Sequence, residues 1–205
     1  YHTLQTLFQF LDYGDDVAID VTDDGRIERR ADVPGITPEA DLTLRAARLL
    51  KAHTGTPLGA RIGLRKRIPI GGGLGGGSSD AATTLLALNR LWGLHRPRAE
   101  LAALGLQLGA DVPVLVQGRT AWAEGVGEQL TPVTLPETWY VVLAPPVAVS
   151  TAAVFAGLQL TPYSPAITIR DFQTGPTRND LEPMVRAQYP AVDAALRWLA
   201  QFGGA

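Results

Sequence analysis

The chain has 205 residues, of which 46% are hydrophobic and 19% are charged, and its formal net charge is -2 at pH 7. This composition is typical of a globular protein with a sizeable core, and it lacks the basic excess of proteins that bind nucleic acid or anionic membranes. Cysteine is absent, which excludes disulfides and thiolate metal sites, and without a membrane-spanning apolar run or a signal-peptide pattern we expect a soluble cytoplasmic protein.

The N-terminal part of the chain predicts β-strands followed by a helix. Apolar and polar residues alternate within residues 4–30, and Asp24-Gly25 indicates a hairpin turn between two strands. Residues 41–55 have the apolar spacing of a helix, which Asp41 is suited to cap and Gly55 to end.

The middle of the chain predicts one strand and two further helices around a glycine-rich stretch. Residues 59–70 alternate apolar and polar side chains, which is typical of a strand. The residues after the glycines follow a helical period that stops before Gly93, and residues 97–109 predict a third helix with Pro97 in its first turn. The positions that carry the helical period after the glycines are Ala82, Leu85, Leu86, Asn89 and Trp92.

The last third of the chain predicts a hairpin, a buried strand and several helices. Residues 120–130 resemble a hairpin, and residues 138–146 are apolar enough for a buried strand. Residues 148–178, rich in Pro, Ser and Thr, predict a short helix and a long loop, and residues 179–203 predict two helices. A change of composition near Pro136 indicates a domain boundary.

The residues from Gly71 to Gly77 are all glycine except Leu74. Each glycine costs about 0.5–1 kcal/mol relative to alanine in regular structure. Bare backbone lets several N–H groups converge on an anion, and the helix that follows adds N–H donors and the positive end of its dipole. Ser78 and Ser79 add hydroxyls that suit a phosphate or Mg²⁺. We therefore predict a phosphate site, with a flexible linker or a packing turn as the alternative.

Three common phosphate-binding motifs fit this stretch poorly. A Walker A loop needs a lysine after its glycines, and none follows here. Gly71, Gly73 and Gly76 match the spacing of the dinucleotide fingerprint, but a Rossmann unit needs a second parallel strand where this chain predicts another helix. The H-R-D and D-F-G motifs of protein kinases are absent.

The stretch PIGGGLGGGSSDAA, which begins at Pro69, resembles the phosphate motif of the GHMP kinases, a family that phosphorylates small alcohols with ATP. Residues 1–15, 108–118 and 123–128 and the pair Asn179-Asp180 also recur, in the same order, in the branch of this family that acts on a cytidine-diphosphate-linked methylerythritol. The likeness covers nearly the whole chain.

The resemblance implies a two-domain α+β fold and a metabolic kinase. Residues 1–136 would form an ATP-binding, ribosomal-protein-S5-like α/β domain, and residues 137–205 part of a ferredoxin-like α+β domain. The implied reaction is ATP-dependent phosphorylation of the 2-hydroxyl of CDP-methylerythritol in non-mevalonate isoprenoid precursor biosynthesis, with Mg²⁺ accompanying ATP. The implied partners are these two small molecules, and the protein would be a monomer or a homodimer.

Asp111 is the residue that the resemblance makes catalytic. Its position in GADVP matches the family's catalytic carboxylate, which would take the proton of the attacking hydroxyl and so also contact the substrate. Without the resemblance, an aspartate between Gly109 and Pro113 is more often a helix cap or a turn former. The two roles are compatible if the backbone caps while the carboxylate faces the site.

The resemblance also implies the ligand contacts. Tyr1 and His2 would hold the cytosine of the substrate, with Phe155 as the second stacking ring. The residues that would bind ATP are Pro69, Ile70, Gly71, Gly72, Gly73, Leu74, Gly75, Gly76, Gly77, Ser78 and Ser79, together with Lys66, whose charge would lie along the nucleotide. No resident metal site is predicted. Turn and hairpin roles are expected for Asp12, Asp15, Asp16, Glu124 and Glu128.

The sequence departs from the family at three points. Family members carry a further strand with a lysine before the position of Tyr1, and further strands after that of Ala205, so the resemblance implies a fragment. Asp41 stands where the family usually has an asparagine in the adenine pocket, and either an altered nucleotide affinity or a plain helix cap would follow.

Two other functions compete with the leading one. The first is another GHMP kinase acting on a sugar, homoserine or mevalonate, against which the Tyr-His start and the paired glycine triplets argue. The second is a nucleotide-binding module without catalytic activity.

Overall fold

The computed structural model describes residues 3–150, 153–154 and 164–202. The described residues before Glu137, except Gly71–Leu74, form one compact unit, and Gly71–Leu74 with the described residues from Glu137 onward form another. The elements of the first unit are β1 (Thr6–Phe8), β2 (Asp16–Thr22), β3 (Ile27–Arg29), α1 (Leu42–Thr54), β4 (Gly59–Arg65), α2 (Gly76–Leu91), α3 (Arg98–Leu106), α4 (Val112–Gln117), β5 (Ala121–Glu124) and β6 (Gln129–Pro132).

The first sheet has the strand order β2-β4-β3. Strand β4 is antiparallel to β2, with Asp16 opposite Arg65 and Thr22 opposite Gly59, and parallel to β3. The predicted hairpin between β2 and β3 is therefore wrong, although Gly25 does turn the chain at φ +72°. Gly59 permits the close approach at the start of β4, since a Cβ there would lie 2.4 Å from the Arg26 carbonyl oxygen.

The core of the first unit lies between this sheet and the helices. The β4 residues Ala60 and Ile62 are buried in one apolar cluster with residues of α1 and α2, and α3 and α4 extend the same cluster. Helices α3 and α4 approach closely at Gly105, where a Cβ would lie 2.6 Å from Val112 Cγ1. The largest fully buried apolar side chains are Leu44, Leu50, Ile62, Leu85, Leu88, Leu101, Val112, Val114 and Val116.

The second sheet has the order β1-β5-β6 and is antiparallel throughout. Its central strand β5 is buried from Ala121 to Ala123, with Leu7 opposite Trp122. The hairpin predicted within residues 120–130 is confirmed as β5 and β6. The pairing of β1 with β5 joins residues more than 100 positions apart, which places the N-terminal segment beside the hairpin.

The helix predictions of the first unit are confirmed, with two differences. Helix α1 is capped by Asp41 and ends at Gly55, whose φ is +67°, and α2 ends before Gly93. Helix α3 stops at Leu106 instead of Gly109. A short helix, α4, follows where no helix was predicted.

The second unit contains three described helices: α5 (Ile169–Thr174), α6 (Glu182–Gln188) and α7 (Pro190–Ala200). Helices α6 and α7 were predicted, and α5 lies in the segment 148–178 that was predicted to contain a short helix and a long loop; it forms around a capping box between Thr168 and Asp171. Part of the segment predicted as a short helix and a loop lies outside the described residues.

The buried strand predicted for residues 138–146 is wrong. These residues form neither a strand nor part of a core, and the Trp139 side chain is 99% exposed. An apolar segment becomes a buried strand only when a neighbouring strand supplies hydrogen bonds and cover, and the described part of the second unit contains no strand. No described helix in either unit is long and apolar enough to cross a membrane.

Candidate active site

The N-terminus of α2 is half-buried and carries no side-chain cap. The chain leaves β4, passes through the glycines and starts the helix at Gly76, with Gly75 at the N-cap position in a left-handed conformation at φ +67°. Because Gly75 has no side chain, it offers no acceptor to the first amides of α2. The first turn of this 16-residue helix therefore presents N–H groups and the positive end of the dipole to a ligand.

Asp111 lies directly beside this turn. The Ser78 hydroxyl donates to Asp111 Oδ1 at 2.6 Å, and Asp111 Oδ2 is 3.5 Å from where a Cβ on Gly75 would be. Gly109 leaves the room for this contact, since a Cβ there would lie 3.0 Å from Asp111 Oδ1 and 3.4 Å from Ser78 Oγ. The structure thus brings the predicted catalytic carboxylate against the predicted phosphate-binding turn.

The backbone of Asp111 has a separate role. Asp111 occupies the N-cap position of α4, but its carboxylate accepts no capping hydrogen bond. The helix is instead started by Pro113 near its N-terminus and by the Asp111 carbonyl, which accepts from the Leu115 amide at 3.4 Å. The carboxylate is therefore available to the site while the backbone serves the helix.

Lys66 is enclosed by two carboxylates. Its ammonium donates to Asp80 Oδ2 at 2.8 Å and to Asp15 Oδ2, and the side chains of the three residues are 12%, 4% and 1% exposed in the order Lys66, Asp80, Asp15. Burial favours the neutral form of Lys66, but the hydrogen bonds that its ammonium donates to both carboxylates outweigh this effect and raise the pKa of Lys66. The positive charge of Lys66, which was expected to lie along the nucleotide, is therefore already paired with two carboxylates of the protein.

The pKa values of the two carboxylates are shifted in opposite directions. Burial raises the pKa of Asp80 to about 6, against the opposing effect of Lys66. Burial acts on Asp15 as well, yet hydrogen bonds from Lys66 and from the Arg67 and Ile68 amides lower its pKa. Two amide contacts contribute to this lowering, since Asp15 Oδ1 accepts from Arg67 N at 2.5 Å and from Ile68 N at 2.8 Å.

Sequence reasoning missed this cluster. Asp80 was not considered, and a turn role was expected for Asp15, which is in fact buried and bonded to the segment after β4. One signal was available: Asp80 lies on the face of α2 that also carries Thr84 and Leu85, both fully buried. A carboxylate on the core face of a helix needs a cationic partner, and Lys66 at the end of a buried strand is the candidate.

The Asp41 carboxylate is buried, and both of its oxygens accept hydrogen bonds from other residues of the protein. Its Oδ1 accepts from the Thr43 amide at 2.9 Å and from the Thr43 hydroxyl at 2.6 Å, and its Oδ2 accepts from Arg29 Nε at 2.7 Å. The Arg29 guanidinium also donates to the Ile36 and Thr37 carbonyl oxygens. The structure therefore gives Asp41 the capping role and adds a buried partner that the sequence did not indicate.

Several predicted site residues do not belong to the described part of the first unit. Tyr1, His2 and Phe155 lie outside the described residues. Gly71–Leu74 belong to the second unit, where the Val149 amide donates to the Gly71 carbonyl at 3.4 Å.

Three of the other carboxylates predicted in turns or hairpins have partners within the protein. Glu124 accepts from Gln5 Nε2 at 2.7 Å, Glu128 accepts from the Val126 amide in the β5–β6 turn at 2.7 Å, and Asp16 pairs with Arg67 at the sheet edge.

The contact between Ser78 and Asp111 suits a metal ion that arrives with its ligand. Among the described residues no group of three His, Cys, Asp or Glu could hold one. Mg²⁺ typically takes one or two protein oxygens and completes its shell with substrate phosphates and water. The Ser78 hydroxyl and the Asp111 carboxylate, in contact with each other, are such a pair of oxygen donors, so the site fits Mg²⁺ bound to a nucleotide.

Comparison with known proteins gives concordant relatives. Residues 41–119 match GHMP kinases N terminal domain, a span that contains the glycines and Asp111. A 4-diphosphocytidyl-2-C-methyl-D-erythritol kinase from Thiobacillus denitrificans is 56% identical over 100% of this chain and 74% of its own length. Its counterpart from Alkalilimnicola ehrlichii is 58% identical over 100% of this chain and 70% of its own length. A crystal structure of 4-(cytidine 5'-diphospho)-2C-methyl-D-erythritol kinase superimposes on this chain with a TM-score of 0.76 at 34% identity. The superposition covers 95% of this chain and 72% of the chain in that crystal structure.

Proposed function

The chain belongs to the 4-diphosphocytidyl-2-C-methyl-D-erythritol kinases of the GHMP kinase family, and on that premise we propose that Asp111 and the first turn of α2 carry its chemistry. The protein is an ATP-dependent kinase that phosphorylates the 2-hydroxyl of 4-diphosphocytidyl-2-C-methyl-D-erythritol. The predicted α+β fold of this family is confirmed by the solved relative. The 2.6 Å contact between Ser78 and Asp111 is the observation that carries the assignment of the site.

The triphosphate of ATP is bound by main-chain amides between Pro69 and Ser79. The absence of a side-chain cap on α2 supports this, because amides that no capping side chain satisfies bind an anion at little cost to the fold. Glycines also let the backbone approach the phosphates without a Cβ in between. The Ser79 hydroxyl lies at the same turn as a further donor to the phosphates, whereas the Ser78 hydroxyl proton is already donated to Asp111.

Asp111 receives the proton of the alcohol. Its Oδ1 is held by the Ser78 hydroxyl, which leaves Oδ2, on the side of Gly75, as the free acceptor. As the O–H proton passes to Oδ2, the alcohol oxygen attacks the γ-phosphorus in line, the bond to the β-phosphate oxygen breaks and ADP leaves. A carboxylate held at one oxygen reaches this geometry without losing much rotational freedom.

The Ser78 hydroxyl oxygen and the Asp111 carboxylate would be the protein oxygens that hold the Mg²⁺ accompanying ATP. When bound, the ion screens the negative charge of the phosphates during transfer. The protein's own contribution is to orient these two oxygens, which it does through the Ser78–Asp111 hydrogen bond and the space left by Gly109.

The cytidine end of the substrate is assigned to Tyr1, His2 and Phe155. This assignment rests on their positions in the family motif, with a base stacked between two rings and its edge hydrogen-bonded by the imidazole. Because the reaction consumes ATP, we also place the protein in the cytoplasm.

Product formation tests the activity and one substitution tests the site. In the full-length protein, ADP should form with 4-diphosphocytidyl-2-C-methyl-D-erythritol but not with galactose, homoserine or mevalonate. Asp111→Asn should lower kcat by about 10²- to 10⁴-fold while ATP still binds, and the exposed Asp20→Asn serves as a control of equal charge change. Unchanged turnover in Asp111→Asn would remove Asp111 from the mechanism. ATP binding without transfer to any acceptor would favour a non-catalytic module.

A further inference from the structure

We propose that Asp15, Lys66 and Asp80 form a positioning cluster that holds the first turn of α2 in place for ATP. In this account Lys66 acts on the nucleotide through the backbone and does not touch its phosphates. The inference rests on the proposed function of the glycine stretch, and it gives Lys66 a role different from the direct contact expected from the sequence.

The cluster joins three segments of the first unit through one ammonium group. Asp15 precedes β2, Lys66 follows β4, and Asp80 lies at the end of the first turn of α2. The Lys66 ammonium donates to both carboxylates, while Asp15 Oδ1 also accepts the Arg67 and Ile68 amides. The segment that enters the glycines and the helix that leaves them are therefore tied to the same point.

The contact with α2 is close enough to transmit a displacement. A Cβ on Gly76, the first residue of α2, would lie 3.1 Å from Lys66 Nζ and 2.8 Å from Ile68 Cγ2. The backbone of Gly76 thus packs directly on the two residues that Asp15 and Asp80 hold. A shift of Lys66 or Ile68 would move the amides of the first turn, and placement errors near 1 Å are costly at such sites.

The charge of the cluster argues against a direct contact with phosphate. Two carboxylates outweigh one ammonium, so the cluster is net negative when all three groups are ionised. Both carboxylate side chains and the ammonium are nearly excluded from water, and an ammonium already bonded to two carboxylates has little attraction left for an anion.

The experiment compares the loss of the lysine with the loss of each carboxylate in the full-length protein. ATP affinity is measured by titration calorimetry without the alcohol, and the urea unfolding midpoint and the KM of the alcohol at saturating ATP are measured beside it. The variants are Lys66→Met, Asp15→Asn and Asp80→Asn. The control is Asp16→Asn, a change of the same type at a neighbouring exposed carboxylate that pairs with Arg67.

A positioning cluster predicts that all three variants weaken ATP binding by about 10-fold or more, with the KM of the alcohol and the Asp16→Asn control within twofold of wild type. If Lys66 bound phosphate directly, the two Asn variants would free its ammonium and bind ATP equally well or better, which would overturn the inference. Unchanged ATP affinity with a lower unfolding midpoint would also overturn it, because the cluster would then serve stability alone.

Two features keep the test decisive. Asp80→Asn is the mildest change, since the side chain keeps its shape and one acceptor oxygen. The ATP affinity of this variant therefore tests the proposal even if Lys66→Met fails to fold. Failure of the wild-type protein to bind ATP would overturn the proposed function together with this inference, whereas normal wild-type binding with unaffected variants would overturn the inference alone.

Discussion

At the scale of single residues, the site depends on glycines that leave space as well as on the side chains that make contacts. Gly109 and Gly75 leave space on either side of the Asp111 carboxylate, and Ser78 fills the remaining contact. The position of Asp111 beside the glycines follows from residues more than 30 positions apart, so local sequence patterns could not have predicted it. The family resemblance supplied it.

Gly109→Ala should therefore lower activity with little loss of ATP binding. The new methyl group would meet Asp111 Oδ1 at 3.0 Å and Ser78 Oγ at 3.4 Å, and displacing the carboxylate should reduce kcat by about 10- to 100-fold. Steady-state kinetics measure the effect. Gly14→Ala is the matched control, because a Cβ at Gly14 has no atom within 4 Å. Equal turnover in both variants would show that the Asp111 carboxylate needs no such space.

The titration of Asp80 should be visible in the pH dependence of stability. Burial raises its pKa from the ordinary value of 3.8 to about 6, with Lys66 and Asp15 as the charged groups that face it. Between these values the folded protein binds more protons than the unfolded chain, so the contribution of Asp80 to the free energy of unfolding falls as pH rises from about 4 to about 6. The fall is complete above this window.

Urea unfolding of wild type and Asp80→Asn at a series of pH values checks this prediction. The unfolding free energy of wild type, minus that of the variant, should decrease as pH rises through the window and be constant above it. Parallel curves would mean that Asp80 titrates at its ordinary pKa.

At the scale of elements, the strand–glycine–helix unit from β4 to α2 was predictable because its signals are local. Alternation, glycine content and the helical period each occur within a few residues. The order of the strands was not predictable in this way. The turn at Gly25 indicated a hairpin, but the insertion of β4 between β2 and β3 depends on packing against α1 and α2 and on the small size of Gly59.

Gly59→Ala should destabilise the fold at this insertion. A Cβ there would lie 2.4 Å from the Arg26 carbonyl oxygen and 2.5 Å from Thr22 Oγ1, and relief requires a backbone shift with a typical cost of about 1–3 kcal/mol. Chemical denaturation measures the change in unfolding free energy. Gly63→Ala in the same strand is the comparison, since its new methyl group would meet the Arg30 side chain, which can move. A smaller cost at Gly59 than at Gly63 would contradict the proposed reason for the strand order.

At the scale of the whole molecule, two units of different character were anticipated near Pro136. The assignment of residues 1–136 as an ATP-binding domain and of 137–205 as part of a second domain stays a prediction. Most of the elements that the sequence predicted for the first unit are observed, because their apolar faces pack on one core. The predicted strand at 138–146 failed because burial is a property of neighbours, and an apolar segment alone does not supply them.

The most direct test of the account is a crystal structure of the full-length protein with a non-hydrolysable ATP analogue and 4-diphosphocytidyl-2-C-methyl-D-erythritol. We expect the terminal phosphate to accept hydrogen bonds from the main-chain amides around Gly75–Ser78, with the 2-hydroxyl of the substrate between that phosphate and Asp111 Oδ2. A terminal phosphate bound away from this turn, or a reacting hydroxyl out of reach of Asp111, would contradict it.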